Sequence, residues 1–167
     1  MPVSLHVHVR SVAVGRRRVL RLAQAVLKLL GEPSAEMTLS LVGDRRMRRL
    51  NRRFRHKDRS TDVLAFAFRE GQAPHGFNQA AAYLGDVVVA LPTAHRQARA
   101  AGRPLEEEFV TLLIHGVLHL CGYDHERSRA EALRMQKKER QTRRRLGSIS
   151  RLLRAHHDTS VRRRRRV

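Results

Sequence analysis

An α+β fold is predicted by three features of the 167-residue chain. Segments whose apolar residues alternate with polar ones are interleaved with segments whose apolar residues recur every three or four positions. Gly- and Pro-marked stretches separate them, and no segment repeats another. The length suits one domain with a sizeable core.

The first element is a strand. Val3, Leu5, Val7 and Val9 alternate with Ser4, His6 and His8, the period of a half-buried strand. His6 and His8 fall on the opposite face and read as solvent-facing residues, not as ligands. Val19, Leu22, Ala23, Val26, Leu27 and Leu30 form a helical stripe that Gly31 stops. Met37, Leu39 and Leu41 give a second strand. Asp44 can cap a short helix whose Met47, Leu50 and Phe54 face the core. Its other side carries Arg45, Arg46, Arg48, Arg49, Arg52 and Arg53 with no balancing acid, which suits contact with RNA. Residues 62–68 and 84–91 are two further strands, and Val87-Val88-Val89 suits a central position. Between them, residues 69–82 have the length and Gly/Pro content of a loop covering a site. Pro92 opens a helix. Pro104 opens the next, with Glu106, Glu107 and Glu108 at its positive end. A long polar helix follows over about 126–145. The total is roughly four strands and five helices.

The fold is expected to occupy residues 1–147, leaving 148–167 as a basic C-terminal tail. From Lys137 onward there are thirteen Lys/Arg against two acids, +11 of the net charge of +20. The run Arg162–Arg166 repels itself and is expected to be disordered. A competing arrangement is a terminal helix with Ile149, Leu152 and Leu153 as its apolar face. His156-His157 is read as incidental.

A charge of +20 and a pI near 11.8 favour polyanions, nucleic acid above all. An anionic membrane surface is the competitor, but apolar stretches such as 109–114 are too short to span a bilayer. Arg16–Arg18 and the lack of any acid before Glu32 resemble a transit peptide. The alternation from Val3 argues instead for an element of the fold, and nothing reads as a signal peptide. Cys121 is the sole cysteine, so no internal disulfide forms, and a reducing cytoplasm is the expected location. It lies about 200° round the helix from His119 and reads as a small buried hydrophobe.

The chemistry is concentrated in His115-Gly-Val-Leu-His119-Leu-Cys-Gly122-Tyr-Asp124-His125. His115 and His119 fall about 40° apart on one helix face, one turn from each other. His125 cannot join them by continued helix, so the chain must turn back, and Gly122 permits the left-handed backbone that ends helices. Three neutral nitrogen ligands with no fourth protein ligand nearby describe a catalytic zinc site, one Zn2+ per chain, with an open position. The same offsets occur in a long zinc-protease signature whose glutamate general base follows the first histidine. Here that position is Gly116.

The motif, with two others, resembles the YbeY-type family of bacterial rRNA maturation factors. The others are Asn51 with Phe54-Arg55-His56-Lys57-Asp58 and Ser60-Thr61-Asp62-Val63-Leu64-Ala65-Phe66, and then Leu84-Gly85-Asp86-Val87. Ser60, Ala65 and Ala67 depart from the family pattern, and the resemblance covers about residues 3–145. It implies a small mixed four-stranded sheet with the histidine helix packed behind it. It also implies a zinc-dependent, single-strand-specific endoribonuclease of rRNA maturation (the 16S 3′ end) and ribosome quality control. Expected partners are single-stranded RNA, ribosomal RNA and ribosomal subunits, with ribosomal proteins as further partners and no membrane. Arg55 matches the family's catalytic arginine, whose fork can grip two phosphoryl oxygens. Lys57, Arg48 and Arg52 are RNA-binding candidates. Asp86 and Asp124 are candidates to orient the ligand imidazoles, although Asp124 can equally cap the turn, and Asp62 is expected to fix the loop backbone. The alternatives are a metallopeptidase, which Gly116 and the charge argue against, and a non-catalytic zinc-containing ribosome-assembly factor.

Overall fold

Alternating apolar residues do build the sheet expected of them. The structure, a computed structural model, describes residues 2–68, 83–149 and 152–155. Its element order is β1 (Val3–His8), β2 (Val12–Val14), α1 (Arg16–Leu29), β3 (Glu36–Val42), α2 (Asp44–Arg55), β4 (Val63–Ala67) and β5 (Tyr83–Ala90). There follow α3 (Leu91–Ala100), α4 (Leu105–Leu120), α5 (Arg129–Leu146) and β6 (Leu153–Ala155). Four strands form a mixed sheet in the order β1-β3-β5-β4. β1, β3 and β5 run parallel, and β4 returns antiparallel to β5. This is the mixed four-stranded sheet with five helices expected of an α+β fold.

The period of two divides the sheet into two faces. Val3, Leu5, Met37, Leu39, Leu41, Val87 and Val89 point into the main core with Leu22, Val26 and Leu27 of α1 and Phe109, Leu113 and Val117 of α4. Val42, Leu64, Val88 and Ala90 point the other way, onto Met47 of α2. β5 is apolar on both faces because both are covered, as its valine run requires. At Gly85 (φ +132°) an added Cβ would stand 2.0 Å from the Phe66 carbonyl oxygen of β4. No side chain fits between the two strands there, which explains a glycine inside a strand.

Three expectations need correction. Phe54 does not face the core: it is 50% exposed, with its ring edge-on to Phe66 at 5.0 Å. α5 begins at Arg129, not near 126, because Ser128 accepts a hydrogen bond from the Glu131 N–H and sets the helix start there. The third concerns the C-terminal boundary. The chain rejoins the fold beyond residue 147: β6 pairs antiparallel with β2, and Leu152 and Leu153 are buried in the main core. Neither a disordered tail nor a terminal helix describes Leu152–Ala155. The physical reason is an acceptor that the sequence pattern does not reveal. The Glu106 carboxylate at the start of α4 accepts from the Leu152 and Leu153 N–H groups at 2.5 and 3.1 Å, which makes burial of that backbone affordable. The expected covering loop at 69–82, His156-His157 and the run Arg162–Arg166 lie outside the described residues.

Truncation separates the two parts of the C-terminal segment. Ending the chain after Ala155 keeps β6 and serves as the reference. Ending it after Gly147 removes two buried leucines, each worth about 1.5–3 kcal/mol, and should lower the melting temperature by roughly 10 °C. Equal melting curves for the two truncations would show that β6 contributes nothing to stability.

Candidate active site

Each imidazole of the motif is held by a different local device. α4 carries His115 and His119 one turn apart, and their Nε2 atoms approach to 3.1 Å. The helix then stops at Leu120. The Gly122 N–H bonds to the His119 carbonyl and the Tyr123 N–H to the Leu118 carbonyl, each at 3.1 Å. This paired reversal is the Schellman termination, and Gly122 supplies its left-handed residue (φ +89°). The reversal returns His125 to the first two histidines, so that ligand atoms of all three lie within 4.8 Å of one another. Among the described residues no fourth acidic or cysteine side chain joins this group.

The donor set suits a transition metal such as zinc. The His115 Nδ1–H donates to Glu139 Oε1 of α5 at 2.6 Å. A carboxylate can only accept, so Nδ1 carries a ring proton, and in the neutral imidazole that a metal needs the free ligand atom is Nε2, directed towards His119. The pKa of His119 is depressed, first by burial and then by the charges of His115 and His125; Asp124 and a hydrogen bond to the Tyr123 backbone act in the other direction. The depressed value keeps the ring in the neutral form that a metal needs.

The two carboxylates expected to orient the imidazoles do other work. Asp86 lies in the alternation opposite to Val87, so it is on the sheet face away from α4 and cannot reach the histidines. It accepts from the Tyr83 hydroxyl at 2.7 Å, and that phenol, half-buried and beside the Asp86 charge, is pushed up to about 12, chiefly by its partial burial. Asp124 caps the turn after α4, accepting from the Glu126 N–H at 2.9 Å with Arg127 3.3 Å away. Glu139 does what was expected of these two. Its signal was present in the sequence: Met135, Glu139, Thr142 and Leu146 fall on one stripe of α5, so an acid occupies the inward face of a helix whose charges beyond its first turn are otherwise all basic.

Opposite the histidines, the end of α2 forms the other wall of a cleft of about 800 Å³. Arg55, Lys57 and Arg59 line it together with His115, His119 and His125. The segment that positions them is firmly tied. Arg48 forks onto Asp58 through two 2.9 Å hydrogen bonds. Buried Asn51 donates to the Arg59 carbonyl at 2.8 Å, and Asp62 accepts from the Val63 N–H at 2.8 Å. Arg48 is therefore engaged in fixing the loop, and neither it nor Arg52 lines the cleft. Arg55 remains exposed, with one long contact to the Ala65 carbonyl at 3.5 Å. Arg59 and Arg127 also line the cleft and were not singled out by sequence. The thiol of Cys121 is raised to about 11, chiefly by burial, and is therefore inert.

Gly116, the position of a glutamate base in the protease signature, has its own explanation. A Cβ there would meet Val87 Cγ1 at 2.7 Å. α4 is seated on β5 at a distance that leaves no space for a side chain.

This cleft can be compared with known proteins. The sequence profile described as "Endoribonuclease YbeY" matches residues 5–147. The chain belongs to the endoribonuclease YbeY family. Relatives of that name include one from Geobacter metallireducens, 42% identical over 142 residues, covering 84% of this chain and 93% of the relative. Another, from Anaeromyxobacter dehalogenans, is 48% identical over 138 residues, covering 83% and 68%. A solution structure of a Thermotoga maritima protein superposes with a TM-score of 0.57 at 26% identity, covering 83% of this chain and 86% of that one. YbeY proteins are thus a family of nuclease hydrolases, and this member carries three histidines that could hold a metal ion.

Two predictions follow from the wiring of the imidazoles. Glu139→Gln keeps the shape but exchanges a charged, acceptor-only group for a neutral amide that can also turn its NH2 to the ring, and should weaken zinc affinity by about 10–100-fold while the metal-free protein melts as before; competition with a chelating dye measures it. The second concerns pH. His119 takes up its proton at a lower pH in the folded chain than in the unfolded one, so the unfolded chain binds more protons just below pH 6.5. Stability of the metal-free protein should therefore be greatest above that value and be lost as pH falls through the folded pKa. His119→Asn should show the shallower loss in melting temperature between pH 8 and 5.

Proposed function

We propose that this protein is a zinc-dependent, single-strand-specific endoribonuclease that matures ribosomal RNA, at the 16S 3′ end, and takes part in ribosome quality control. The observation that carries the reading is the meeting of Arg55 with His115, His119 and His125 across one cleft, in a chain of net charge +20 whose relatives are named endoribonucleases. Zinc held by three neutral imidazoles would supply Lewis acidity and acidify water to about neutral pH, so hydrolysis does not need the base missing at Gly116.

The chain's own residues do the rest. Glu139 holds the proton on His115 Nδ1 and fixes the ring that faces the cleft. Arg55 places a delocalised cation where extra negative charge develops on the phosphoryl oxygens, and its fork can contact two of them. Lys57 adds a mobile point charge for the flanking phosphate. Phe66 and Phe68 line the same cleft and offer flat faces to unstacked bases, which a paired strand cannot present. Single-stranded RNA, ribosomal RNA and ribosomal subunits are the proposed partners, with ribosomal proteins beside them. A cytoplasmic location belongs to the same proposal. Among the described residues no helix is long and apolar enough to cross a membrane.

The test separates binding from chemistry. Arg55→Ala should retain stoichiometric zinc and the wild-type melting temperature but lose about 10²–10³-fold in kcat on a labelled 16S 3′-end RNA. Arg55→Lys should recover little of it, and His119→Ala should lose metal and cleavage together. Unchanged turnover in Arg55→Ala would remove that residue from the mechanism, and peptide cleavage in place of RNA cleavage would overturn the reading.

A further inference from the structure

The sheet has a second face, and only part of it is covered. On that face the in-register rows are His8 beside Val42, His6 beside Ser40, and Ser4 beside Thr38. α2 seals the end of the face near Met47, Leu64 and Val88. Over β1 no described element lies on it, and Ser4, His6 and His8 are exposed. The rings of His6 and His8 stand nearly parallel there, 10° apart in plane, with centroids 6.2 Å apart.

Beside these rings is a groove of about 530 Å³ between the end of β1 and the start of α2. Arg10, Arg45, Arg46 and Arg49 line it with His8 and Gly43. None of the four arginines has an acidic partner among the described residues. The one acid of the first turn, Asp44, is turned away to Arg96 at 2.8 Å and Thr93 at 2.7 Å. Four uncompensated guanidinium groups around one concavity repel each other and are stabilised by a polyanion. The groove shares no lining residue with the histidine cleft. It lies at the other end of α2 from Arg55, about 15 Å along the helix axis. Burial, Arg46 and His6 all lower the pKa of His8, so at neutral pH it presents a neutral ring to a base.

We propose that this surface binds the single-stranded RNA flanking the bond to be cleaved, with Arg10, Arg45, Arg46 and Arg49 taking its phosphates and the rings of His6 and His8 stacking against its bases. A basic groove alongside aromatic faces is how single strands are held without dependence on sequence. The inference rests on the ribonuclease reading above and deepens it: substrates long enough to reach from the cleft past the length of α2 gain affinity that short ones do not.

The experiment uses the zinc-loaded full chain and non-cleavable 2′-O-methyl oligonucleotides of about 4 and about 15 nucleotides, the shorter chosen to occupy the cleft alone. An Arg10→Gln/Arg45→Gln/Arg49→Gln variant should bind the longer strand at least tenfold more weakly. Its slope of log affinity against log salt should be smaller by about 2, since three contacts each contribute about 0.7 on a single strand. Affinity for the shorter strand should change less than twofold. A His6→Ala/His8→Ala variant should lose about fivefold or more on the longer strand with an unaltered salt slope, and His6→Phe/His8→Phe should restore it. Wild-type affinity and slope in the arginine variant would overturn the proposal alone, provided the wild type still cleaves RNA. Equal losses on both lengths would overturn it too, placing the effect in the cleft or the fold. A dimer that the His6→Ala/His8→Ala variant dissociates would assign the face to a second copy of the chain. A wild type that neither binds nor cleaves RNA would overturn this proposal and the reading beneath it.

Discussion

His125 reaches the other two imidazoles only because α4 ends at Leu120 and the chain reverses through Gly122, with two backbone hydrogen bonds closing the reversal. Had the helix continued, six residues would have carried His125 about 240° round the axis from His119. The rest of the site is arranged around that ending. Asp124 takes up the Glu126 N–H in the following turn, Ser128 restarts the chain as α5, and α5 then brings Glu139 back over His115. Three histidines and their orienting carboxylate therefore come from one helix–turn–helix unit. The sheet contributes the floor on which it rests.

The opposite wall is built by other means. Arg55 belongs to α2, on the other face of the sheet from α4, and reaches the cleft because α2 runs to the sheet's edge strand β4 and ends there. The loop after it is held by side chains: the Arg48–Asp58 fork and the bond from Asn51 to the Arg59 carbonyl. Rigid ties on the residues around Arg55 leave its own guanidinium without a strong partner. The role proposed for Arg55, to meet a developing charge, calls for that combination of a fixed base and a free head.

Local regularities were legible in the sequence, and long-range partners were less so. Strict alternation from Val3 and from Met37, the valine run of β5 and the i,i+4 histidines each encode their element within a few residues. The helix-ending glycine was readable for the same reason. Short strands such as Val12–Val14 and Leu153–Ala155 carry too few residues to show a period, and they exist because each supplies the other's hydrogen bonds. The motifs offer Asp86 and Asp124 near the ligands as orienting carboxylates, whereas the fold sets Glu139, 24 residues after His115, against that ring. Asp86 failed as a candidate because its neighbour Val87 faces α4, a matter of strand parity that only the register decides.

The contact between Gly116 and Val87 also limits what this scaffold can become. A carboxylate base beside the first ligand, the step that would bring the motif to a peptidase signature, meets a closed core, because any side chain at Gly116 presses on Val87. Either Val87 or the spacing of α4 and β5 would have to give, and His115 and His119 ride on that same helix. Catalytic repertoire is here bounded by a van der Waals contact in the core. The same tight seating that holds the ligands in register closes the shortest mutational route to another chemistry.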